Sequence, residues 1–432
     1  MESCFMLFIY RFFFPLIFLF FLPGLIVKLI RRGGWKKTYM ERFGFFSAER
    51  KIELKEWRGA IWIHAVSVGE TNVALTLLNE WNRTNPGRRF VLSTTTTTGQ
   101  EIARNKAPEN VKVIFCPVDS TFAVCRTLNL LQPSALVILE TELWPNLLLT
   151  AKKRGIPLVL VNSRISDKSF GGYRRFRCFF APILNAFDRI CAQTETDRER
   201  LEIISETLKE KKTVEVCGNI KFDQKTPAGQ GFDYESFFGR KAVVILSSST
   251  HDPEEDLHLK AYCRIHQEFP DTALAIVPRH AERGGDLEKL IRSYGLSCFR
   301  RSNGTGTAQP DVLLADTTGE LPGFIKGADI ILMGKTMAGN DEGQNIIEPA
   351  IMGKAIICGP KLKNFRQAQD LLFKEDAVLH LKDDTELENA MRTLVADAEK
   401  RTNLGKRAQN AMAKSSGALI RNIQQLEAVI SR

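Results

Sequence analysis

Acidic side chains stand directly after two of the short apolar runs in this 432-residue chain. Glu70 follows the run at 60–64 at the start of a predicted helix, and Glu140 and Glu142 follow the run that begins at residue 135. A carboxylate in such a place can act as a general base toward a hydroxyl. Glu70 has a structural alternative, since an acid in the first turn complements the helix dipole. Glu140 and Glu142 are suited to bind the hydroxyls of a ligand or a cation.

Basic and hydroxyl side chains follow other apolar runs. Arg164 comes after the fifth run, where it either contacts a ligand or belongs to a solvated basic surface. Ser249 and Thr250 come at the end of the run that begins the second half of the chain, just before a helix-start segment. Arg279 follows the next run, and a guanidinium there can bind a phosphate through two hydrogen bonds.

A glycine-containing loop begins at Gly334, and the segment behind it is predicted to start a helix. The N-terminus of that helix can hold a phosphate. Asn345 and Glu348 are three residues apart, so we predict that they share one helix face and bind nucleoside hydroxyls. The residues from Gly334 onward match the end of a P-loop, but Asp329 stands where the first glycine is required, which excludes that motif.

Apolar runs that predict strands alternate with amphipathic segments that predict helices. Continuous β-branched runs separated by helices indicate a parallel sheet covered on both faces. Two series of runs occur, so we predict an α/β fold with two doubly wound domains at 36–225 and 226–432, the second ending in helices at 384–407 and 416–431. Ligands of such sheets bind beyond the carboxyl ends of the strands, and two facing domains would form a cleft. The predicted strands are 60–64, 89–93, 111–116, 135–140, 157–162, 189–192 and 214–217, followed by 242–247, 272–277, 312–315, 330–333, 355–358 and 378–381.

Composition narrows the class of protein. Hydrophobic residues make up 44% of the chain and charged residues 25%, which excludes a disordered chain. The net charge of +10 favours an anionic partner, which is a nucleic acid, a phospholipid surface or a phosphorylated substrate. The nine cysteines form no Cys-x-x-Cys pair, and the six histidines lack ligand spacing, so we expect neither disulfides nor a metal site.

The first 35 residues predict a membrane anchor. Residues 4–27 are apolar apart from Tyr10 and Arg11, a length that can cross or nearly cross a bilayer. Five cations without an acid follow between residues 28 and 37, which places the next domain on the cytoplasmic side. The alternatives are a cleaved signal peptide, which normally has its cations before the apolar stretch, and a segment lying in one leaflet.

Six short blocks, in this order and spread over nearly the whole chain, resemble the 3-deoxy-D-manno-octulosonic acid (Kdo) transferases of Gram-negative bacteria. The blocks are His64-Ala-Val-Ser-Val-Gly-Glu70, Glu140-Thr-Glu-Leu-Trp-Pro-Asn146, Asn162-Ser-Arg164, Gly218-Asn-Ile-Lys-Phe-Asp223, Val277-Pro-Arg-His280 and Asn345-x-x-Glu-Pro349.

This resemblance implies a GT-B architecture of two Rossmann-like domains. It also implies an inverting, metal-independent and cofactor-free transfer of Kdo from CMP-Kdo to a lipid A precursor of lipopolysaccharide, at the cytoplasmic side of the inner membrane. Membrane surface with anionic lipid is then a partner, and nucleic acid is not. The number of Kdo units added stays open. The implied catalytic residues are Glu70 as general base and Lys221 near the developing charge; the donor-binding residues are Ser249, Thr250, Arg279, Gly334, Asn345 and Glu348; and the acceptor-binding residues are Glu140, Glu142 and Arg164.

Two other functions stay open at this point. A membrane-associated GT-B glycosyltransferase with a different nucleotide sugar would present the same architecture. A non-catalytic protein that binds anionic lipid would present the same anchor and basic charge.

Overall fold

The structure is a computed structural model that describes Tyr10 and residues 40–224, 229–304 and 309–431. It divides into two compact units. The first unit contains the chain up to Asp223 and again from Ser416 onward, and the second unit is Gln224–Ser415. The predicted anchor at 1–35 lies outside the described residues except for Tyr10. Across the part of the chain that the structure describes, no helix has both the length and the apolar character needed to cross a bilayer.

A seven-stranded sheet forms the centre of the first unit. All its strand pairs are parallel, as predicted. The strands are β1 (Ile61–Ala65), β2 (Phe90–Thr94), β3 (Val111–Phe115), β4 (Ala135–Leu139), β5 (Leu158–Ser163), β6 (Arg189–Ala192) and β7 (Val214–Val216). Their order is β3-β2-β1-β4-β5-β6-β7, so the winding reverses between β1 and β4. The crevice beyond the ends of two such strands is where ligands bind in doubly wound sheets.

Helices cover both faces of this sheet because alternate strand residues point to opposite sides. Trp62 belongs to one buried cluster, whereas its neighbours Ile61 and Ile63 belong to the other. The helices of this unit that precede residue 224 are α1 (Ala48–Lys55), α2 (Val68–Thr84), α3 (Thr97–Lys106), α4 (Thr121–Leu131), α5 (Pro145–Lys153), α6 (Asp167–Arg175), α7 (Arg177–Leu184), α8 (Glu195–Ile204) and α9 (Glu206–Glu210).

The second unit repeats the architecture with another parallel sheet of seven strands. The strands are β8 (Val243–Thr250), β9 (Thr272–Pro278), β10 (Cys298–Arg300), β11 (Val312–Leu314), β12 (Ile330–Met333), β13 (Ala355–Cys358) and β14 (Leu379–His380). The order β10-β11-β9-β8-β12-β13-β14 places the reversal between β8 and β12. We did not predict β10, because this half-buried edge strand of three residues carries no apolar run.

The helices of the second unit surround this sheet. The predicted helix at 384–407 is two helices, since Asp397 interrupts it and accepts a hydrogen bond from the Lys400 amide at 2.9 Å. The helices are α10 (Tyr234–Phe238), α11 (Glu254–Glu268), α12 (Gly284–Ser293), α13 (Leu321–Gly327), α14 (Ile347–Ile351), α15 (Arg366–Lys374), α16 (Leu387–Ala396) and α17 (Ala398–Lys414).

The last helix, α18 (Ala418–Ile430), departs from the predicted domain bounds. We expected residues 226–432 to form one domain, but the structure places α18 in the first unit. Its apolar face, which includes Leu426, lies in the same buried cluster as β1 and β4. Asp223 reinforces this placement, because its carboxylate accepts hydrogen bonds from the amides of Gly417 and Leu419.

Candidate active site

Glu70 lies in the first turn of α2, immediately beyond β1. Ser67 is the N-cap residue and accepts a hydrogen bond from the Glu70 amide at 3.3 Å. In return the Glu70 carboxylate accepts from the Ser67 hydroxyl at 2.8 Å and from the Val66 amide at 2.7 Å. This reciprocal pattern is a variant of the capping box, so Glu70 does have the structural role that the sequence left open.

The electrostatic surroundings of Glu70 also suit a proton acceptor. The residue is only 6% exposed. Burial raises the pKa of its carboxyl above the usual range, and the charge of Glu140 adds to this rise, while the hydrogen bonds from Val66 and Ser67 oppose it. A carboxyl group with a raised pKa holds an abstracted proton more strongly than an ordinary glutamate does, which favours a general base.

Glu140, Glu142 and Lys221 join this edge of the sheet. The Lys221 ammonium donates to Glu140 Oε1 at 2.7 Å, and both side chains are about a quarter exposed, at 28% and 27%. Burial raises the pKa of Glu142 to about 7, helped by the charges of Glu70 and Glu140. The structure thus brings both predicted catalytic residues and two of the three predicted acceptor residues to the carboxyl ends of β1 and β4.

Backbone strain marks the same edge. Glu140 has a φ of 54° and Asn162, near the end of β5, has a φ of 57°. Left-handed φ values are uncommon for residues other than glycine, and they persist where surrounding contacts hold them. Asn162 Oδ1 accepts from the Ile220 amide at 3.0 Å and so supports the 3₁₀ turn Ile220–Asp223 that carries Lys221. We assigned Asn162 no role from sequence, although its position at a strand end was a usable signal.

Arg164, the third predicted acceptor residue, is exposed. Its amide donates to Thr141 Oγ1 at 3.2 Å, and the Thr141 hydroxyl donates back to the Arg164 carbonyl. This exchange connects the loop after β5 to the loop that carries Glu140 and Glu142.

His64 is the other titratable group at the end of β1. It is fully buried, and its Nδ1 lies 2.9 Å from Ser93 Oγ. Burial lowers its pKa to about 4, so the imidazole is neutral at neutral pH and has no access to a ligand. Glu70 is therefore the better candidate for a base next to β1.

In the second unit, the end of β8 and the loop after β12 meet at the reversal of the sheet. The Gly334 amide donates to the Ser248 carbonyl at 2.9 Å. Ser249 and Lys335 have left-handed φ values of 56° and 60°. Ser249 and Thr250 are the last two residues of β8, so they lie at the strand end as predicted. Ser249 is half-buried and Thr250 is buried.

We expect Gly334→Ala to weaken donor binding and lower stability. A Cβ at this position would lie 2.3 Å from the Ser249 carbonyl oxygen and 2.5 Å from that of Ser248. Backbone would have to move, at a cost of roughly 1–3 kcal/mol. Calorimetric titration with CMP and thermal unfolding would measure both effects. Gly285→Ala, at a helical glycine with open space around it, is the matched control, and it should leave CMP binding unchanged without lowering stability.

Arg279 follows β9 and is exposed. Its amide donates to the Thr250 carbonyl at 3.0 Å, so the ends of β8 and β9 bring these two predicted donor residues together.

Asn345 and Glu348 do not share a helix face, contrary to the prediction. α14 begins at Ile347, and Asn345 precedes it, with its Oδ1 accepting from the Ile347 amide at 3.2 Å. Asparagine favours such side-chain-to-backbone bonds over a helical conformation of its own. Glu348 lies inside the helix, half-buried, and burial raises its pKa.

The part of the chain that the structure describes contains no cluster of side chains suited to a metal. Within residues 40–224, 229–304 and 309–431, no group of three or more His, Cys, Asp or Glu side chains is placed to hold a metal ion.

Solved structures of other proteins have the same fold. Anabaena Alr3699/HepE in complex with UDP has a TM-score of 0.56 at 14% identity and covers 86% of this chain and 100% of its own. The glycotransferase of kitacinnamycin has a TM-score of 0.54 at 13% identity, over 86% of this chain and 99% of its own. At these identities the likeness concerns the fold, which is the α/β architecture of the GT-B type.

Sequence relatives then identify the family. The profile described as 3-deoxy-D-manno-octulosonic-acid transferase (kdotransferase) matches residues 37–224. The 3-deoxy-D-manno-octulosonic acid transferase of Bordetella pertussis is 30% identical over 92% of this chain and 93% of its own. Those of Haemophilus influenzae and Aquifex aeolicus are 27% and 30% identical, over 98% and 80% of this chain and 99% and 89% of theirs. The chain belongs to the Kdo transferase family and is a glycosyltransferase, which confirms the resemblance drawn from sequence.

Proposed function

We propose that this enzyme transfers Kdo from CMP-Kdo to a lipid A precursor, with inversion at the transferred carbon and without a metal. The observation that carries the proposal is the cluster of Glu70, Glu140, Glu142 and Lys221 at the β1 and β4 strand ends. A transfer to a sugar hydroxyl needs a base at the acceptor oxygen, and burial raises the pKa of the Glu70 carboxyl, which supports this role.

In the proposed step the Glu70 carboxylate takes the proton from an acceptor hydroxyl. That oxygen attacks the anomeric carbon of Kdo, the new C–O bond forms, and the bond to the phosphate of CMP breaks, with its electron pair leaving on the phosphate. Lys221 supplies a positive charge next to Glu140 and thereby limits the repulsion among three carboxylates. Glu140, Glu142 and Arg164 are the candidate contacts to acceptor hydroxyls and phosphates.

The donor is assigned to the second unit. Arg279 is exposed at a strand end, where its guanidinium is suited to the phosphate of CMP. The half-buried Ser249 offers a hydroxyl, and Asn345 and Glu348 offer hydrogen-bonding groups for the ribose or the base. Thr250 is fully buried, and its carbonyl accepts from the Arg279 amide, so it supports the strand end that carries Arg279. Because Gly334 has no side chain, the loop after β12 packs directly against the end of β8, next to Ser249 and Thr250.

The lipid acceptor implies a membrane partner. We propose that residues 1–35 hold the enzyme at the cytoplasmic side of the inner membrane, with the cations between residues 28 and 37 at anionic headgroups. Deleting residues 1–34 should then reduce transfer to vesicle-embedded acceptor much more than transfer to detergent-dispersed acceptor. Equal loss with both acceptors would contradict this role.

The reaction itself is tested by incubating the enzyme with CMP-Kdo or with UDP-sugars and a lipid A precursor, in the presence of EDTA. Mass spectrometry of the product identifies the sugar and counts the Kdo units. We expect transfer from CMP-Kdo alone. Transfer from UDP-N-acetylglucosamine but not from CMP-Kdo would overturn the proposal in favour of another nucleotide sugar, and lipid binding without any transfer would favour a non-catalytic protein.

The pH dependence of kcat/KM provides a further prediction. Glu70 must be ionised to act as a base, and burial raises its pKa, so activity should fall as the pH falls through a value above the ordinary range of about 4.3. Glu140→Gln removes the negative charge that adds to this rise and should move this acid limb to lower pH. A profile that stays flat down to about pH 4.5 would contradict Glu70 as the base.

A further inference from the structure

Glu254, the first residue of α11, is a carboxylate without any solvent exposure. Its Oε1 accepts from the His251 amide at 2.7 Å. The Lys335 amide donates to both carboxylate oxygens, at 2.7 Å and 2.8 Å, and the Thr336 amide is a further donor. A single buried side chain therefore collects backbone donors from two separate segments of the chain.

Those two segments come from the two sides of the sheet reversal in the second unit. His251 directly follows β8, and Lys335 is the second residue after β12. β8 and β12 are neighbours in the sheet, and the crevice beyond two such strands is the ligand site of a doubly wound domain. Glu254 thus connects the two strand ends between which a nucleotide would bind.

Helix capping alone does not account for this arrangement. A capping side chain accepts from the first amides of its own helix, whereas Lys335 and Thr336 lie about 80 residues further along the chain. Lys335 has a left-handed φ of 60°, a conformation that non-glycine residues adopt only under constraint, and its amide is held by both oxygens of Glu254.

Burial of a carboxylate is unfavourable unless hydrogen bonds compensate it. Here burial raises the pKa of Glu254 to about 7 even though the amides of Lys335 and His251 favour the ionised form. The adjacent Glu255 shows the ordinary solution to the same problem, since its carboxylate forms an ion pair with Arg283. Glu254 is bonded to backbone amides instead of a cation, so its carboxylate and the loop after β12 hold each other in place.

We propose that Glu254 is a positioning residue for the donor site. It holds the backbone of Gly334 and Lys335 against the end of β8, which sets the geometry of the residues assigned to the cytidine monophosphate part of the donor. This inference rests on the proposed function, and it adds a residue that touches no substrate.

The test is Glu254→Gln, which keeps the shape and one acceptor oxygen but turns an NH₂ group toward a backbone N–H. Losing hydrogen bonds to a charged group corresponds to a rise of roughly 10- to 100-fold in the KM for CMP-Kdo and in the Kd of CMP. We expect kcat and the KM for the acceptor to change by less than about threefold, because neither reports on this loop. Glu254→Asp keeps the charge but withdraws it by one methylene, and should shift the same two constants by a smaller factor.

Asp316→Asn is the matched control. Asp316 is also a buried acid of the second unit, and it accepts from the Ser302 amide at 3.0 Å and from Arg300. It should lower the melting temperature without raising the KM for CMP-Kdo. The proposal is overturned if a folded Glu254→Gln or Glu254→Asp enzyme binds CMP as the unaltered enzyme does, or if Asp316→Asn weakens CMP binding equally. Failure of the proposed function is a separate result, in which the unaltered enzyme itself neither binds CMP nor uses CMP-Kdo.

Discussion

Replacing Glu70 with glutamine is expected to lower kcat by about 10²- to 10⁴-fold, the usual contribution of a positioned general base. The glutamine side chain is nearly isosteric, and its carbonyl can still accept from the Val66 amide that the carboxylate accepts from at 2.7 Å. It cannot take a proton from the acceptor hydroxyl. Steady-state kinetics with CMP-Kdo and a lipid A precursor would measure the loss.

Stability measurements separate this effect from the role of Glu70 at the helix start. Losing an acid there costs about 0.3–1 kcal/mol, so the melting temperature should fall by only a few degrees. Glu80→Gln is the matched control, because Glu80 is a buried acid of the same helix that is paired with Arg83. It should retain nearly full kcat. If Glu70→Gln kept more than about a tenth of the rate while folded, Glu70 would not be the base.

Truncation before Ser416 is expected to abolish the cooperative unfolding of the first unit and all transfer activity. α18 contributes Leu419, Ile423, Leu426 and Val429 to the buried cluster under the first sheet. Burial of each such side chain is worth roughly 1.5–3 kcal/mol, and their sum is comparable to the total stability of a domain. Calorimetry of the full-length and truncated chains would show whether one transition disappears.

Point substitutions make the same prediction in graded form. Leu426 is fully buried, so Leu426→Ala should cost about 2–5 kcal/mol. Ile420 on the same helix is 51% exposed, and Ile420→Ala should cost under about 0.5 kcal/mol. Asp223→Asn weakens the bonds to Gly417 and Leu419, and it should lower activity as well as stability because Asp223 closes the turn that carries Lys221. Equal stability of the truncated and full chains would contradict the assignment of α18 to the first unit.

Strand positions and sheet type were predictable because their causes are local. Runs such as Ala135–Leu139 are apolar over their whole length, which a strand buried on both faces requires. The edge strand Cys298–Arg300 was not predicted, because it has no apolar run of its own and is a strand only through its pairing with β11. The break at Asp397 escaped for a related reason, since the amphipathic pattern continues through it.

Much of the candidate site followed from sequence by one rule, that ligands meet the carboxyl ends of parallel strands. Glu70, Glu140, Ser249 and Gly334 are all there. Asn345 was misplaced, because its side chain bonds to the Ile347 amide outside the helix and the pattern of residue types does not show which bond forms.

The sequence by itself determined which apolar runs form strands, that both sheets are parallel, and which polar groups lie at the ends of those strands, because these follow from side-chain type at neighbouring positions. Only the tertiary structure decided which of those groups meet. Lys221 pairs with Glu140, which is 81 residues earlier in the chain, and Glu254 accepts from the amide of Lys335, which is 81 residues later. The amide of Gly417, just before α18, donates to Asp223, which is 194 residues earlier. Such pairings depend on how the chain crosses between strands and on which buried polar group finds a partner. Both are properties of the assembled sheet and have no local pattern in the chain.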